Sequence, residues 1–122
     1  MKKKVSILIV EDEAISVLLL KDGLSAEGFE VCAIAATGRD AIIAAEAKRP
    51  DLIIMDVGLA GEMDGLEASA MIRRKCRAPI IFITGYTSEE LLGRVCDIEP
   101  LAFLSKPVEM DELSGIIKAA FR

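Results

Sequence analysis

Short apolar runs alternate with longer amphipathic stretches along the whole chain. Val5 to Val10, apolar but for Ser6, is the first run and the first strand candidate. Val17, Leu20 and Leu24 then recur at helical spacing, predicting a helix that Gly28 can end in a left-handed cap. Glu30 to Ala35 reads as a weaker strand nearer an edge, and the alanine-rich stretch from Arg39 to Lys48 as a helix stopped before Pro50. Leu52 to Asp56 is the strongest strand signal, four apolar residues running into a carboxylate. A loop with three glycines, Gly58 to Gly65, leads to a helix over Leu66 to Lys75. Pro79 introduces the β-branched run Ile80 to Thr84, and Thr87 and Glu90 have capping-box spacing for a fourth helix reaching about Cys96. Leu101 to Leu104 is a short fifth strand, and Leu113, Ile116, Ile117 and Ala120 form the stripe of a closing helix.

Five such strand–helix units imply an α/β domain with one parallel sheet and helices on both faces. A length of 122 residues suits a single domain over residues 1–122, and the chain shows no repeat or linker. It stops within a turn of the last stripe, so no output domain is expected after it. Hydrophobic residues at 52% and charged residues at 29% argue against disorder. The net charge of -5 disfavours nucleic acid as the main partner, and Lys2 to Lys4 read as a solvated tail. No apolar run approaches the ~20 residues of a membrane span, and the run after the lysines meets Glu11 and Asp12 too soon for a signal peptide. The expected location is cytoplasmic. Cys32, Cys76 and Cys96 are odd in number and widely spaced, which predicts reduced, mostly buried thiols. The absence of histidine excludes Ser-His-Asp triads and histidine zinc centres.

Ligands of open α/β sheets bind outside the carboxyl ends of the strands. Strand one ends in Glu11 and Asp12, strand three in Asp56, strand four in Thr84, and strand five runs into Ser105 and Lys106. These ends predict an acidic pocket with one cation and one hydroxyl. Crowded carboxylates repel one another and have raised pKa values, a cost that a hard, oxygen-seeking cation such as Mg²⁺ relieves. Asp56 is then a nucleophile that accepts a phosphoryl group as an acyl phosphate, with Lys106 and the Thr84 hydroxyl holding its other oxygens.

In the order and spacing of these residues the chain resembles the response-regulator receiver domains of bacterial two-component signalling, over essentially its whole length. The motifs are Glu11-Asp12, Asp56, Thr84 and Lys106-Pro107, each following a strand. The resemblance implies the doubly wound, flavodoxin-like (CheY-like) fold, five parallel strands in the order 2-1-3-4-5 flanked by five helices. It implies that Asp56 is the phosphoacceptor for a histidine kinase or histidine phosphotransfer protein, and that the domain is a switch rather than an enzyme turning over a substrate. Asp12 and Asp56 match metal-binding carboxylates, Glu11 acts directly or through water, and the backbone carbonyl of Gly58 matches a further ligand for Mg²⁺. No other cofactor is implied. Lys106 matches the family lysine, with a cis bond to Pro107. Thr84 and Phe103 match the switch pair that would reshape the face of the fourth helix, fifth strand and fifth helix for a downstream protein, with homodimerisation on activation left open. Tyr86, two beyond Thr84, would shield the acyl phosphate from water.

Rival readings are weaker. A flavodoxin-like cofactor binder would need a phosphate-holding loop after strand one, where Glu11-Asp12-Glu13 repel phosphate. A Mg²⁺-dependent phosphohydrolase of the haloacid-dehalogenase kind wants an aspartate two residues after the nucleophile, where this chain has Gly58. A docking receiver that works without phosphorylation would not need the full acidic and lysine set.

Overall fold

A computed structural model of the chain describes residues 3–59, 61–85 and 88–122. The elements alternate throughout as β1 (Ser6–Val10), α1 (Ala14–Ala26), β2 (Glu30–Ala35), α2 (Gly38–Lys48), β3 (Leu52–Asp56), α3 (Gly65–Ile72), β4 (Ile80–Thr84), α4 (Glu89–Ile98), β5 (Ala102–Ser105) and α5 (Met110–Ala120). All pairings are parallel, and the strand order is β2-β1-β3-β4-β5. The expected doubly wound α/β architecture is therefore the observed one.

The unbroken apolar runs take the middle of the sheet because helices cover both of its faces there. Successive side chains alternate between those faces. Leu8, Val10, Ile53, Met55 and Phe82 pack with Ala41 and Ala45 of α2, Leu66 and Ile72 of α3, and Val95 of α4. Ile7, Ile9, Ile54, Ile81 and Ile83 pack with Leu20 and Leu24 of α1 and Leu113 and Ile117 of α5. The edge strands β2 and β5 are only partly buried, as the polar ends of their sequences require.

Several boundaries differ from the sequence expectation. Val5 lies outside β1 and only packs against the α1–α5 face. Helix α3 ends at Ile72, and residues 73–75 continue as turns, with Lys75 N–H bonded to the Ile72 carbonyl. Its start carries a capping box that the glycine-rich loop concealed: Asp64 Oδ1 accepts the Glu67 N–H at 2.8 Å, and Glu67 Oε1 accepts the Asp64 N–H at 3.3 Å. Helix α4 is capped by Ser88, whose hydroxyl oxygen accepts the Leu91 N–H at 3.1 Å. The cap expected at Thr87 and the shielding expected of Tyr86 fall outside the described residues, as does Lys2. On α5 the buried face is Leu113, Ser114 and Ile117, with Ala120 exposed. The Ser114 hydroxyl reaches that face by donating to Glu27 at the end of α1 at 2.6 Å. The cysteines carry no disulfide, yet none is buried: Cys32 and Cys76 are half-buried and Cys96 is exposed.

Candidate functional site

Register alone brings the polar strand ends together. Val10 of β1 pairs with Met55 of β3, so Glu11 and Asp56 are the next residues along adjacent strands. Asp56 pairs with Ile83 of β4, and Thr84 with Ser105 of β5, which places Lys106 one step beyond. The Glu11 N–H continues the β1–β2 pattern by bonding the Ala35 carbonyl at 2.9 Å, so this carboxylate is held inside the sheet and is only 1% exposed. Asp56 and Thr84 are buried as well, whereas Asp12 is exposed.

Lys106 organises the centre. Its Nζ donates to Glu11 Oε1 at 2.6 Å, Glu13 Oε1 at 2.9 Å and Asp56 Oδ2 at 3.1 Å. An ammonium has three donors, and here each meets a carboxylate. The Lys106 backbone N–H bonds the Thr84 carbonyl at 2.7 Å, and the bond to Pro107 is cis, as expected. The other oxygen of Asp56, Oδ1, accepts the Gly58 N–H at 2.9 Å. Gly58 thus enters the site through its amide. Phe103 is half-buried on the edge strand, opposite Phe82 in register, and packs against the cluster beneath α2, α3 and α4.

The carboxylates do not all respond to crowding in the same way. Burial pushes Glu11 up to about 7, and the hydrogen bond and charge of Asp56 add to the rise against the pull of Lys106. Burial opposes ionisation of Asp56 too, but hydrogen bonds from Glu11, the Gly58 amide and Lys106 outweigh it and hold Asp56 below the usual aspartate range. The expectation of uniformly raised carboxylates does not hold: Glu11 is raised and Asp56 is lowered, the direction that suits Asp56 to act as a nucleophile. Burial disfavours the charge on Lys106, yet Glu11, Glu13 and Asp56 hold its pKa well above that of an ordinary lysine.

Carboxylate oxygens of Glu11, Asp12 and Asp56 lie within 4.8 Å of one another. Three hard oxygen donors this close together are what Mg²⁺ takes from a protein, with waters for the rest of its shell. The exposure of Asp12 leaves one side open to the waters that Mg²⁺ retains. The donor chemistry therefore fits such an ion.

Two residues escaped the sequence reading. Glu13 is the N-cap of α1 but makes no capping bond, because its carboxylate is spent on Lys106. The available signal was a third acid in the run Glu11-Asp12-Glu13 at a position where glutamate is a poor cap. Gly65 opens α3 so close to the end of β3 that a Cβ there would overlap the Asp56 carbonyl oxygen. Asp64-Gly65 was legible only as a loop.

Residues 7–118 match the family described as the response regulator receiver domain. Among characterised proteins, the chain is 37% identical over 114 residues to the transcriptional regulatory protein PdtaR of Mycobacterium tuberculosis, an alignment that covers 93% of this chain and 55% of that protein. It is 36% identical over 115 residues to the phyllosphere-induced regulator PhyR of Methylorubrum extorquens, covering 93% of this chain and 42% of that one. The chain thus spans about half the length of these relatives. Among solved structures, the signal receiver domain of a modulated diguanylate cyclase from Desulfovibrio desulfuricans superposes with a TM-score of 0.91 at 34% identity, covering 97% of this chain and 94% of that one. A CheY-like receiver domain protein from Methanospirillum hungatei gives 0.87 at 29% identity, with 97% and 94% covered. Site, fold and sequence agree, and the chain belongs to the response-regulator receiver domain family of two-component signalling.

Proposed function

We propose that this domain is a cytoplasmic phosphoacceptor switch, with Asp56 taking a phosphoryl group from a phosphohistidine of a histidine kinase or histidine phosphotransfer protein. An ionised oxygen of Asp56 attacks phosphorus, the phosphorus–nitrogen bond breaks, and its electron pair returns to the donor imidazole, which takes up a proton. The observation that carries the reading is the buried Asp56 with Lys106 at 3.1 Å and two further carboxylates beside it. Glu11, Asp12 and Asp56, with the Gly58 carbonyl, would hold Mg²⁺, which supplies neutralising charge to the phosphoryl oxygens. Lys106, already bonded to Asp56, neutralises further charge, and the Gly58 amide orients the carboxylate.

A protein donor suits the surface better than a small phosphate ester. Ile15, Leu18 and Leu19 of α1, just beyond Glu13, are 76%, 57% and 67% exposed and form an apolar face beside the rim. That choice favours a signalling partner over the phosphohydrolase reading.

Once phosphorylated, the Thr84 hydroxyl turns to bond a phosphoryl oxygen and Phe103 moves inward behind it. The surface of α4, β5 and α5 changes with them, for a downstream protein. Beryllofluoride with Mg²⁺ mimics the phosphoryl group without donor chemistry, and amide NMR reads the response. Shifts are expected at the rim and, separately, at Phe103 and along α4, β5 and α5. Shifts confined to the rim would refute the switch, and no shifts at all would refute the site.

A further inference from the structure

We propose that Glu13 is a positioning residue for Lys106: it holds the ammonium in the unphosphorylated domain and is the partner released when Asp56 is phosphorylated. The inference rests on the reading of Asp56 as phosphoacceptor and concerns what that event requires of the chain.

The donors of Lys106 can be counted. Glu11, Glu13 and Asp56 take all three, at 2.6, 2.9 and 3.1 Å. A phosphoryl group puts several strong acceptor oxygens where Lys106 now meets one oxygen of Asp56, so a lysine that gives it a second donor must give up the bond to Glu11 or to Glu13. The Glu11 side chain is wholly buried, so no water can take the place of Lys106 there. The Glu13 side chain is 66% exposed, so water replaces Lys106 at little cost. Glu13 is therefore the carboxylate that lets go.

The local backbone points the same way. Glu13 occupies the N-cap of α1, a position that favours a short serine, threonine, aspartate or asparagine able to reach back to the helix amides. Its backbone has the extended conformation usual for an N-cap, but the longer side chain makes no capping bond and instead meets Lys106, 93 positions along the chain. The capping bond is forgone and the contact to β5's end is made instead. In this state Glu13 draws Lys106 away from Asp56, and its charge opposes the incoming phosphoryl group.

Glu13→Gln tests this, with Glu109→Gln as a control that also removes an exposed acid near the rim, at the N-cap of α5. The initial rate of phosphorylation by acetyl phosphate at saturating Mg²⁺ is expected to rise about two- to five-fold in Glu13→Gln, the scale of an exposed ion pair, and to stay near wild type in Glu109→Gln. The Lys106 Cε NMR signal is expected to differ between wild type and Glu13→Gln in the free protein and to coincide in the beryllofluoride complex. Equal gains in both variants would reduce the effect to general repulsion of the donor. A Mg²⁺ affinity that falls further in Glu13→Gln than in Glu109→Gln would make Glu13 a metal ligand. A Lys106 signal offset equally in both states would mean that no release occurs. Each of these overturns the proposal. Failure of wild type itself to take up phosphate would instead overturn the reading of Asp56.

Discussion

Gly65→Ala is expected to destabilise the domain by about 3 kcal/mol and to blunt phosphorylation at the same time. A Cβ at position 65 would overlap the Asp56 carbonyl oxygen and lie 2.9 Å from the Asp56 carbonyl carbon and the Val57 Cα. These obstacles are backbone atoms, so no side chain can rotate out of the way. The clash is relieved only by moving the start of α3 away from the end of β3, against the Gly65 N–H bond to the Val57 carbonyl at 3.1 Å. That displacement disturbs the turn that aims Asp56 at the Gly58 amide and Lys106. Gly93 supplies the control, since it sits exposed within α4 with open space where a Cβ would go. Gly93→Ala should stabilise by about 0.5–1 kcal/mol, through helix propensity and a less flexible unfolded chain. Urea unfolding measures both. Stability of Gly65→Ala within about 0.5 kcal/mol of wild type would contradict the close approach on which the site's geometry depends.

Mg²⁺ is expected to stabilise the domain, and to do so more at pH 8 than at pH 5.5. The folded domain raises Glu11 from 4.5 to about 7, so between those values it binds more protons than the unfolded chain. Stability of the metal-free domain therefore falls as pH rises through that window, by up to about 1.4 kcal/mol per pH unit. Asp56 acts oppositely: its lowered pKa stabilises the fold above the ordinary aspartate value of 3.8 and that contribution is lost on acidification. Metal-free stability should thus peak on the acidic side of neutrality. A divalent cation binds the fully ionised cluster, so its benefit grows as Glu11 loses its proton. At a hundred times its dissociation constant it is worth about 2.7 kcal/mol. Thermal melts across pH, with and without Mg²⁺, measure this. An increment independent of pH would contradict the raised pKa of Glu11.

The centre of the sheet was legible because β1, β3 and β4 each carry four consecutive apolar residues, as burial on both faces requires. The principal site residues were legible for a related reason. Glu11, Asp56, Thr84 and Lys106 each sit where an apolar run stops, and parallel register carries those stops to one rim. Boundaries set by tertiary contacts were not legible. Thr87 and Ser88 are equally able caps, and nothing local favours Ser88 for α4. Ser114 sits on the buried stripe of α5 only because Glu27 waits for its hydroxyl at the end of α1. Glu13 finds its partner far along the chain, and Gly65 is constrained by the backbone of a different element. The unequal acidity of Glu11 and Asp56 follows from the burial of Glu11 and from the hydrogen bonds that Asp56 receives from Glu11, the Gly58 amide and Lys106, details of tertiary geometry rather than of composition.

Incubation with Mg²⁺ and acetyl phosphate, followed by intact mass, tests the central claim most directly. Wild type should gain the mass of a single phosphoryl group, and Asp56→Asn, of nearly the same shape but without a nucleophilic oxygen, should gain none. Phosphate uptake by Asp56→Asn to the wild-type extent, or a wild-type protein that stays unmodified, would contradict it.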